Sequence, residues 1–295
     1  MSTNNGPVLV IGATGQQGRA TSRALLGKGR QVRAFVRNPE SAAAKALQAE
    51  GAELVVGDLD DEVSVKAALD GSRSVFLMLT MMEGVNITEA GIAAEQRRGE
   101  TVIDLARDSG IEHLVYSSLR GAGQNSGVEY YAAKEHLEAY LTAQEIPSTI
   151  LRPVFFMDNF ASFNRPVLHD SGTLVLNLAV RADIPMSLIS VRDIGEFAAL
   201  ALTRPADYLG RTLSLAGDRL TPPQIAEALG VAAGLPARSF QVPIEAVRAF
   251  DEQVAKMFAF FNERPDEALD IAALRAEHPG LQDLPTWLAA SGWRP

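Results

Sequence analysis

The stretch Pro7-Val8-Leu9-Val10-Ile11-Gly12-Ala13-Thr14-Gly15-Gln16-Gln17-Gly18 decides how the chain is read. Its four apolar residues, held between a proline and a glycine, have the composition of a short buried strand. Beyond them Ala20, Ala24 and Leu25 recur at helical spacing, so a helix follows. In a turn that joins strand to helix through three glycines, the first permits a tight reversal, the second a close backbone approach to a pyrophosphate, and the third close packing of helix on strand. The helix N-terminus then offers unpaired N–H groups and the positive end of its dipole to phosphate oxygens. Gly12, Ala13, Thr14, Gly15, Gln16, Gln17 and Gly18 are therefore expected to cradle a dinucleotide. The weaker alternative is a turn whose glycines serve packing alone. A nucleoside-triphosphate P-loop is excluded, because Arg19 follows Gly18 where that loop needs Lys and then Ser or Thr.

Working outward, short apolar runs alternate with helical stretches. Strands are expected at Gln31 to Val36, Glu53 to Val56, Ser74 to Leu79, His113 to Tyr116 and Thr149 to Leu151. Helices are expected at Ser41 to Glu50, Val63 to Leu69, Glu89 to Ser109 and Tyr130 to Gln144. Such alternation implies α/β architecture, a doubly wound parallel sheet covered by helices on both faces. Its ligands sit at the carboxyl ends of the strands, where the strand order reverses. From about Pro153 the alternation becomes irregular, with helices near 193–202, 221–233 and 244–261. The expected organisation is a nucleotide-binding domain over residues 1–152 and a smaller C-terminal α/β substrate domain over 153–295, some segments of which return to the first sheet.

Composition narrows the chemistry. The chain has 295 residues, of which 47% are hydrophobic and 21% charged, an ordinary globular balance. Its formal charge of −9 gives no general field for nucleic acid. With no cysteine, thiol nucleophiles, disulfides and thiolate metal sites are excluded, and the four histidines show no two-His helical spacing, so no metal is expected. The sequence has no apolar run of about 18 residues and no signal pattern, so the expectation is a cytoplasmic protein away from membranes.

Four further places point toward the ligand. After the second strand comes Arg37-Asn38-Pro39, where an NAD site would need a carboxylate for the ribose; a guanidinium there suits a 2′-phosphate and favours NADP(H). As a solvated loop residue, Arg37 would leave that preference open. Asp58 and Leu59 follow the third strand in the loop that passes the adenine, and Asp58 reads equally well as the cap of the next helix. Tyr130 and Lys134 share a helical face at i and i+4. An ammonium beside a phenol favours phenolate and allows proton exchange with a carbonyl, with Tyr131 as the competing phenol. Ser117 and Ser118 end the fifth strand, where the Ser118 hydroxyl is placed to orient a substrate oxygen or, equally, to shape the turn. Lysine is scarce, at Lys28, Lys45, Lys66, Lys134 and Lys256, which gives the one at that spacing more weight. Phe250, Met257, Phe258, Phe260 and Phe261 read as core before pocket.

Together these residues give the chain a family resemblance. Gly12 to Gly18, Arg37-Asn38-Pro39, Gly57-Asp58, Tyr130 with Lys134, Leu151-Arg152-Pro153-Val154-Phe155-Phe156-Met157-Asp158-Asn159-Phe160, Ser190-Val191-Arg192-Asp193-Ile194-Gly195 and His278-Pro279-Gly280-Leu281 with Trp287-Leu288 resemble the NmrA-like branch of the atypical short-chain dehydrogenases/reductases. The resemblance runs over nearly the whole chain. It implies a Rossmann-like domain with NADP(H) in a cleft, the pyrophosphate on Gly12 to Gly18 and the 2′-phosphate on Arg37. Leu79, Thr80, Met81 and Arg97 would lie along the cofactor, Lys134 on the nicotinamide ribose, and Pro153, Phe155, Phe156, Met157 and Asn159 around the nicotinamide. The family it resembles contains NADPH-dependent reductases of quinones, dyes and related conjugated acceptors, and also non-catalytic nucleotide sensors that bind partner proteins. Tyr130 tilts the reading to a reductase acting on a small-molecule acceptor. A homodimer or a regulatory protein partner is compatible with either class.

Overall fold

A computed structural model describes residues 6–264 and 267–295. Val8–Ile11 (β1) is buried along its whole length, which is what a strand with helices on both faces requires. It is followed by Gln16–Gly27 (α1), Val32–Val36 (β2), Ala42–Ala49 (α2), Glu53–Val56 (β3), Glu62–Leu69 (α3) and Ser74–Leu77 (β4). Next come Glu89–Asp108 (α4), the strand His113–Ser117, Glu129–Ala143 (α5) and the strand Ser148–Pro153. Every strand and helix expected in this part is present, with ends that differ by a residue or two. β4 is shorter than expected, stopping at Leu77.

The central sheet has seven strands in the order 212–215, 148–153, 113–117, β4, β1, β2, β3. Pairings from 148–153 across to β3 are parallel, with Val8 facing Ser74 on one side and Val32 on the other. The chain runs outward from β1 to β3 and then returns to β1's other side as β4. The order therefore reverses between β1 and β4, the place where such sheets bind ligands. Gly12 stands at the carboxyl end of β1, and a Cβ there would lie 2.8 Å from the Met78 carbonyl at the end of β4.

Contacts divide the chain into two units. The first runs to Gly123 and includes Tyr130–Arg152 and Ile194–Leu213; the second holds Gln124–Glu129, Pro153–Asp193 and the chain from Ser214 onward. The first unit's core gathers Leu9, Ile11, Leu77, Val102, Ile103, Tyr116 and Leu137 from strands and helices. In the second, the parallel pair Leu174–Leu178 and Ala237–Gln241 and the strand Met186–Ile189 pack with the helices Pro222–Ala233 and Leu284–Ser291 around Phe160, Leu188, Leu229 and Trp287.

One expected helix is two. The stretch 244–261 divides into Ile244–Arg248 and Glu252–Glu263, because the Asp251 carboxylate accepts from the backbone N–H groups of Gln253 and Val254 and starts a new helix. Met257, Phe258 and Phe261 pack into the second core, whereas Phe250 is exposed. Among the described residues no helix is long and apolar enough to cross a membrane.

Candidate functional site

The glycine turn is tight for a reason visible in its own atoms. Gly12 sits at φ +78°, a conformation that L side chains rarely adopt, and its carbonyl accepts from the Gly15 N–H at 3.0 Å. A Cβ on Gly18 would lie 2.2 Å from that same carbonyl, so only glycine lets α1 start so close to β1. Gly15 is the N-cap of α1 with no side-chain cap, and the helix's first turn contains no acidic residue. Thr14, Gly15 and Gln16 are exposed. Uncapped N–H groups and an open face are what an anionic group needs.

The side chain of the neighbouring Gln17 turns inward. Ser117 Oγ donates to Gln17 Oε1 at 2.6 Å, a buried bond that ties the turn to the end of the strand 113–117. Ser118 stands next along that strand, also buried, and its hydroxyl has no partner among the described residues. An unanswered buried hydroxyl costs free energy, on the order of 1–3 kcal/mol, and such groups cluster where a ligand completes the set.

Arg37 leaves β2 into solvent and among the described residues forms no ion pair, so its guanidinium is available for an anion. Asp58 is exposed and its carboxylate accepts from the Asp60 N–H at 3.0 Å. It does not cap α3. The cap is Asp61, whose carboxylate accepts from the Val63 N–H, so the capping alternative for Asp58 is corrected. Leu59 is half-buried against the first core. Arg97 is engaged with Asp60 at 3.2 Å, together with Arg98. Those two arginines hold the Asp60 carboxyl at about 2, with Arg98 the larger cause.

Lys134 has neighbours that helical spacing alone does not show. Its ammonium is buried and lies 2.5 Å from Glu95 Oε1, with the Leu79 carbonyl at 3.4 Å and the Tyr116 ring centroid at 5.4 Å. Burial works against its charge, but Glu95 and Tyr116 outweigh burial and raise its pKa above the ordinary lysine range. Burial pushes the Tyr116 phenol up to about 12, with the lysine pulling the other way. A phenol set beside this lysine is thus Tyr116, from the strand beneath. Tyr130 is buried on α5 and meets Tyr131 edge to face at 4.8 Å. Leu79 reaches Lys134 through its backbone, and Thr80 accepts from the Met82 N–H at 3.2 Å; Met81 is half-buried beside it.

Spacing along the chain singles out neither Glu95 nor Tyr116, yet Glu95 leaves a trace in the sequence. Gly91, Glu95 and Gly99 recur every four residues on the face of α4 that continues as Val102, Ile103 and Ala106, all of them buried. A carboxylate on that stripe, between two glycines, marks a buried charge that needs a cation. Tyr116 leaves none, since a tyrosine in an apolar strand reads as core.

Pro153, Phe155, Phe156, Met157 and Asn159 belong to the second unit. Phe155–Phe156 pairs in parallel with Leu188 and Ile189. Met157 has no exposed surface and is packed in the second core, so its side chain presents nothing to a ligand. Asn159 is half-buried in the short 3-10 helix Met157–Ala161.

Comparison with known proteins places this architecture. The model of the NmrA-like family matches residues 4–278. The chain belongs to the NmrA-like family. This NmrA-like chain is 27% identical over 239 residues to the NAD(P)H azoreductase of Xenophilus azovorans, across 81% of the chain and 78% of that enzyme. Its fold is similar to that of the NADPH-dependent quinone oxidoreductase QOR2 of Escherichia coli complexed with NADPH, with a TM-score of 0.78 and 22% identity over 97% of this chain and 100% of that one. It is equally similar to NmrA, a negative transcriptional regulator solved in complex with NADP, with a TM-score of 0.80 and 22% identity over 98% of each chain. At these identities the two solved structures establish the Rossmann-like fold.

Proposed function

We propose that this NmrA-like protein is an NADPH-dependent reductase of a small conjugated acceptor such as a quinone, a dye or a related carbonyl compound. The observation that carries the proposal is the glycine turn: a Cβ on Gly18 would fall 2.2 Å from the Gly12 carbonyl, and the helix behind it opens uncapped at the sheet's reversal point. The Ser118 hydroxyl, unanswered among the described residues, and the exposed Arg37 fit the same ligand. Relatives named as an NAD(P)H azoreductase and an NADPH-dependent quinone oxidoreductase support the acceptor class.

Reduced nicotinamide, when bound, supplies the hydride. The N–H groups of the first turn of α1 bind the pyrophosphate, and Arg37 binds the 2′-phosphate with its planar fork of donors. Lys134 presents a fixed positive charge to the ribose hydroxyls. Ser118 Oγ orients the acceptor oxygen, and Tyr130 Oη holds the proton that completes the two-electron reduction. A quinone also takes that proton from water, and a cationic triphenylmethane dye is neutralised by the hydride itself and takes no proton, so with either acceptor Tyr130 becomes dispensable.

The test is NADPH oxidation by the purified protein with quinones, azo and triphenylmethane dyes and conjugated carbonyls, run beside Tyr130→Phe. Turnover of at least one class is expected, with Tyr130→Phe slowed on carbonyls and near wild type on dyes. Tight NADPH binding with no turnover across the panel overturns the reductase and favours a nucleotide-sensing regulator.

A further inference from the structure

We propose that Glu95 is a positioning residue for Lys134: its carboxylate pins the ammonium at the end of the sheet as a fixed charge, so that the lysine does not act as a proton-transfer group. The proposal rests on the reading of Lys134 as a cofactor-facing lysine. Its basis is how closely the elements around the pair approach. A Cβ on Gly99 of α4 would lie 2.6 Å from Leu137 of α5, and a Cβ on Gly91 would lie 2.1 Å from the Met81 carbonyl. Two glycines one turn either side of Glu95 therefore press α4 onto α5 and onto the segment after β4. Glu95 is brought within 2.5 Å of Lys134 Nζ while remaining 0% exposed.

Among the described residues the lysine is the one ion-pair partner of that carboxylate, and no other group donates to it. A buried acid answered by a single flexible cation is a costly arrangement for stability alone, and an apolar pair would pack as well. Its effect is on the cation. Four rotatable bonds are stilled, with the Leu79 carbonyl 3.4 Å and the Tyr116 ring centroid 5.4 Å from the ammonium. Loss of the lysine proton would strand Glu95 as an unpaired buried anion, so the proton stays. The titratable groups facing this ammonium are Glu95 from α4 and Tyr116 from the strand His113–Ser117; Glu138 of α5 acts on Tyr116 and is itself paired with Arg152. In this protein the proton for the product then comes from Tyr130 or from water.

Only five lysines are present, so the experiment reads the residue directly. The full chain is labelled with 13C,15N-lysine, the Lys134 signals are assigned with Lys134→Arg, and the Cε shift is followed against pH in wild type, Glu95→Gln and Glu95→Asp. In parallel, NADPH affinity is measured by cofactor fluorescence over the same range. Wild-type Lys134 is expected to stay unmoved through about pH 10 while the other four begin to titrate. In Glu95→Gln it titrates at least about one pH unit lower, a tenfold change in proton affinity, and NADPH binding acquires an alkaline limb there. Glu95→Asp, which keeps a carboxylate, falls between the two and supplies the comparison if Glu95→Gln does not fold. A Lys134 curve that is the same in wild type and variant, or that runs with the other four in wild type, overturns the proposal. Separated curves in a protein that does not bind NADPH uphold the pinning and overturn the cofactor reading instead.

Discussion

Glu95 in the first unit and Asp193 in the second are both acids with no exposed surface, and they are treated in opposite ways. Asp193 is answered on every side. Ser190 Oγ and the Gln282 N–H donate to one oxygen at 2.8 and 2.9 Å, while His278 Nε2 and the Arg192 guanidinium approach the other at 3.0 and 3.4 Å. Two of these donors come from a segment about ninety residues further on, so Asp193 fastens the segment 278–282 to the start of the helix Val191–Thr203. Among the described residues Glu95 has one ion-pair partner, on a flexible stem, at the end of the sheet where ligands bind. The difference separates purposes. A buried acid with a full set of donors holds structure, and one answered by a single cation holds that cation.

The largest expected effect tests the Asp193 half. Asp193→Ala strands a serine, a histidine and a backbone N–H in the interior, and should lower unfolding free energy by about 3–5 kcal/mol in urea denaturation. NADPH affinity of the folded fraction should remain near wild type. A small stability loss would break the comparison. On the other side, the double variant Glu95→Leu/Lys134→Met should regain what either single change loses, to within about 1 kcal/mol, because neither charge is left alone. Its cofactor affinity should stay low.

His113 sharpens the comparison as a buried group answered on one side only. Thr149 Oγ1 donates to the Tyr208 carbonyl at 2.8 Å and so accepts from His113 Nε2–H, also at 2.8 Å; Nδ1 has no partner among the described residues. Burial pushes its pKa down to about 4. The folded state therefore prefers neutral imidazole. The associated stability is present above the ordinary histidine pKa of about 6.5 and is lost as pH falls from there through about 4, on the order of 3 kcal/mol in all. Denaturation at stepped pH should show this loss in wild type and a flatter curve in His113→Leu.

The smallest effect belongs to the group left fully open. Arg37→Ala should weaken NADPH about 10- to 100-fold and leave NADH nearly unchanged. Equal losses for both cofactors would return Arg37 to a solvated loop residue.

Some of this is legible in the sequence, and the rest is hidden for definable reasons. The first unit's elements are readable because β1 and its neighbours are short apolar runs separated by helical spacing, and the glycines of the turn carry their own steric logic. The register of Tyr130 and Lys134 on one helix is readable as well. Which phenol lies under the lysine is not, because Tyr116 arrives from a strand about eighteen residues earlier, and spacing along a helix says nothing about the sheet below it. Glu95 is hidden among the charges of α4, although its glycines at i−4 and i+4 mark the face. The break at Asp251 is hidden by the apolar residues on either side, whose helical spacing continues through a local capping bond.

Reduction by bound NADPH is tested most directly by single-turnover oxidation of NADPH by the purified protein with excess quinone, followed by the loss of cofactor absorbance and repeated with each nicotinamide C4 hydrogen replaced by deuterium. Oxidation is expected, and it should slow when one of the two positions is deuterated. NADPH that binds and keeps its spectrum in the presence of the acceptor would contradict a reductase.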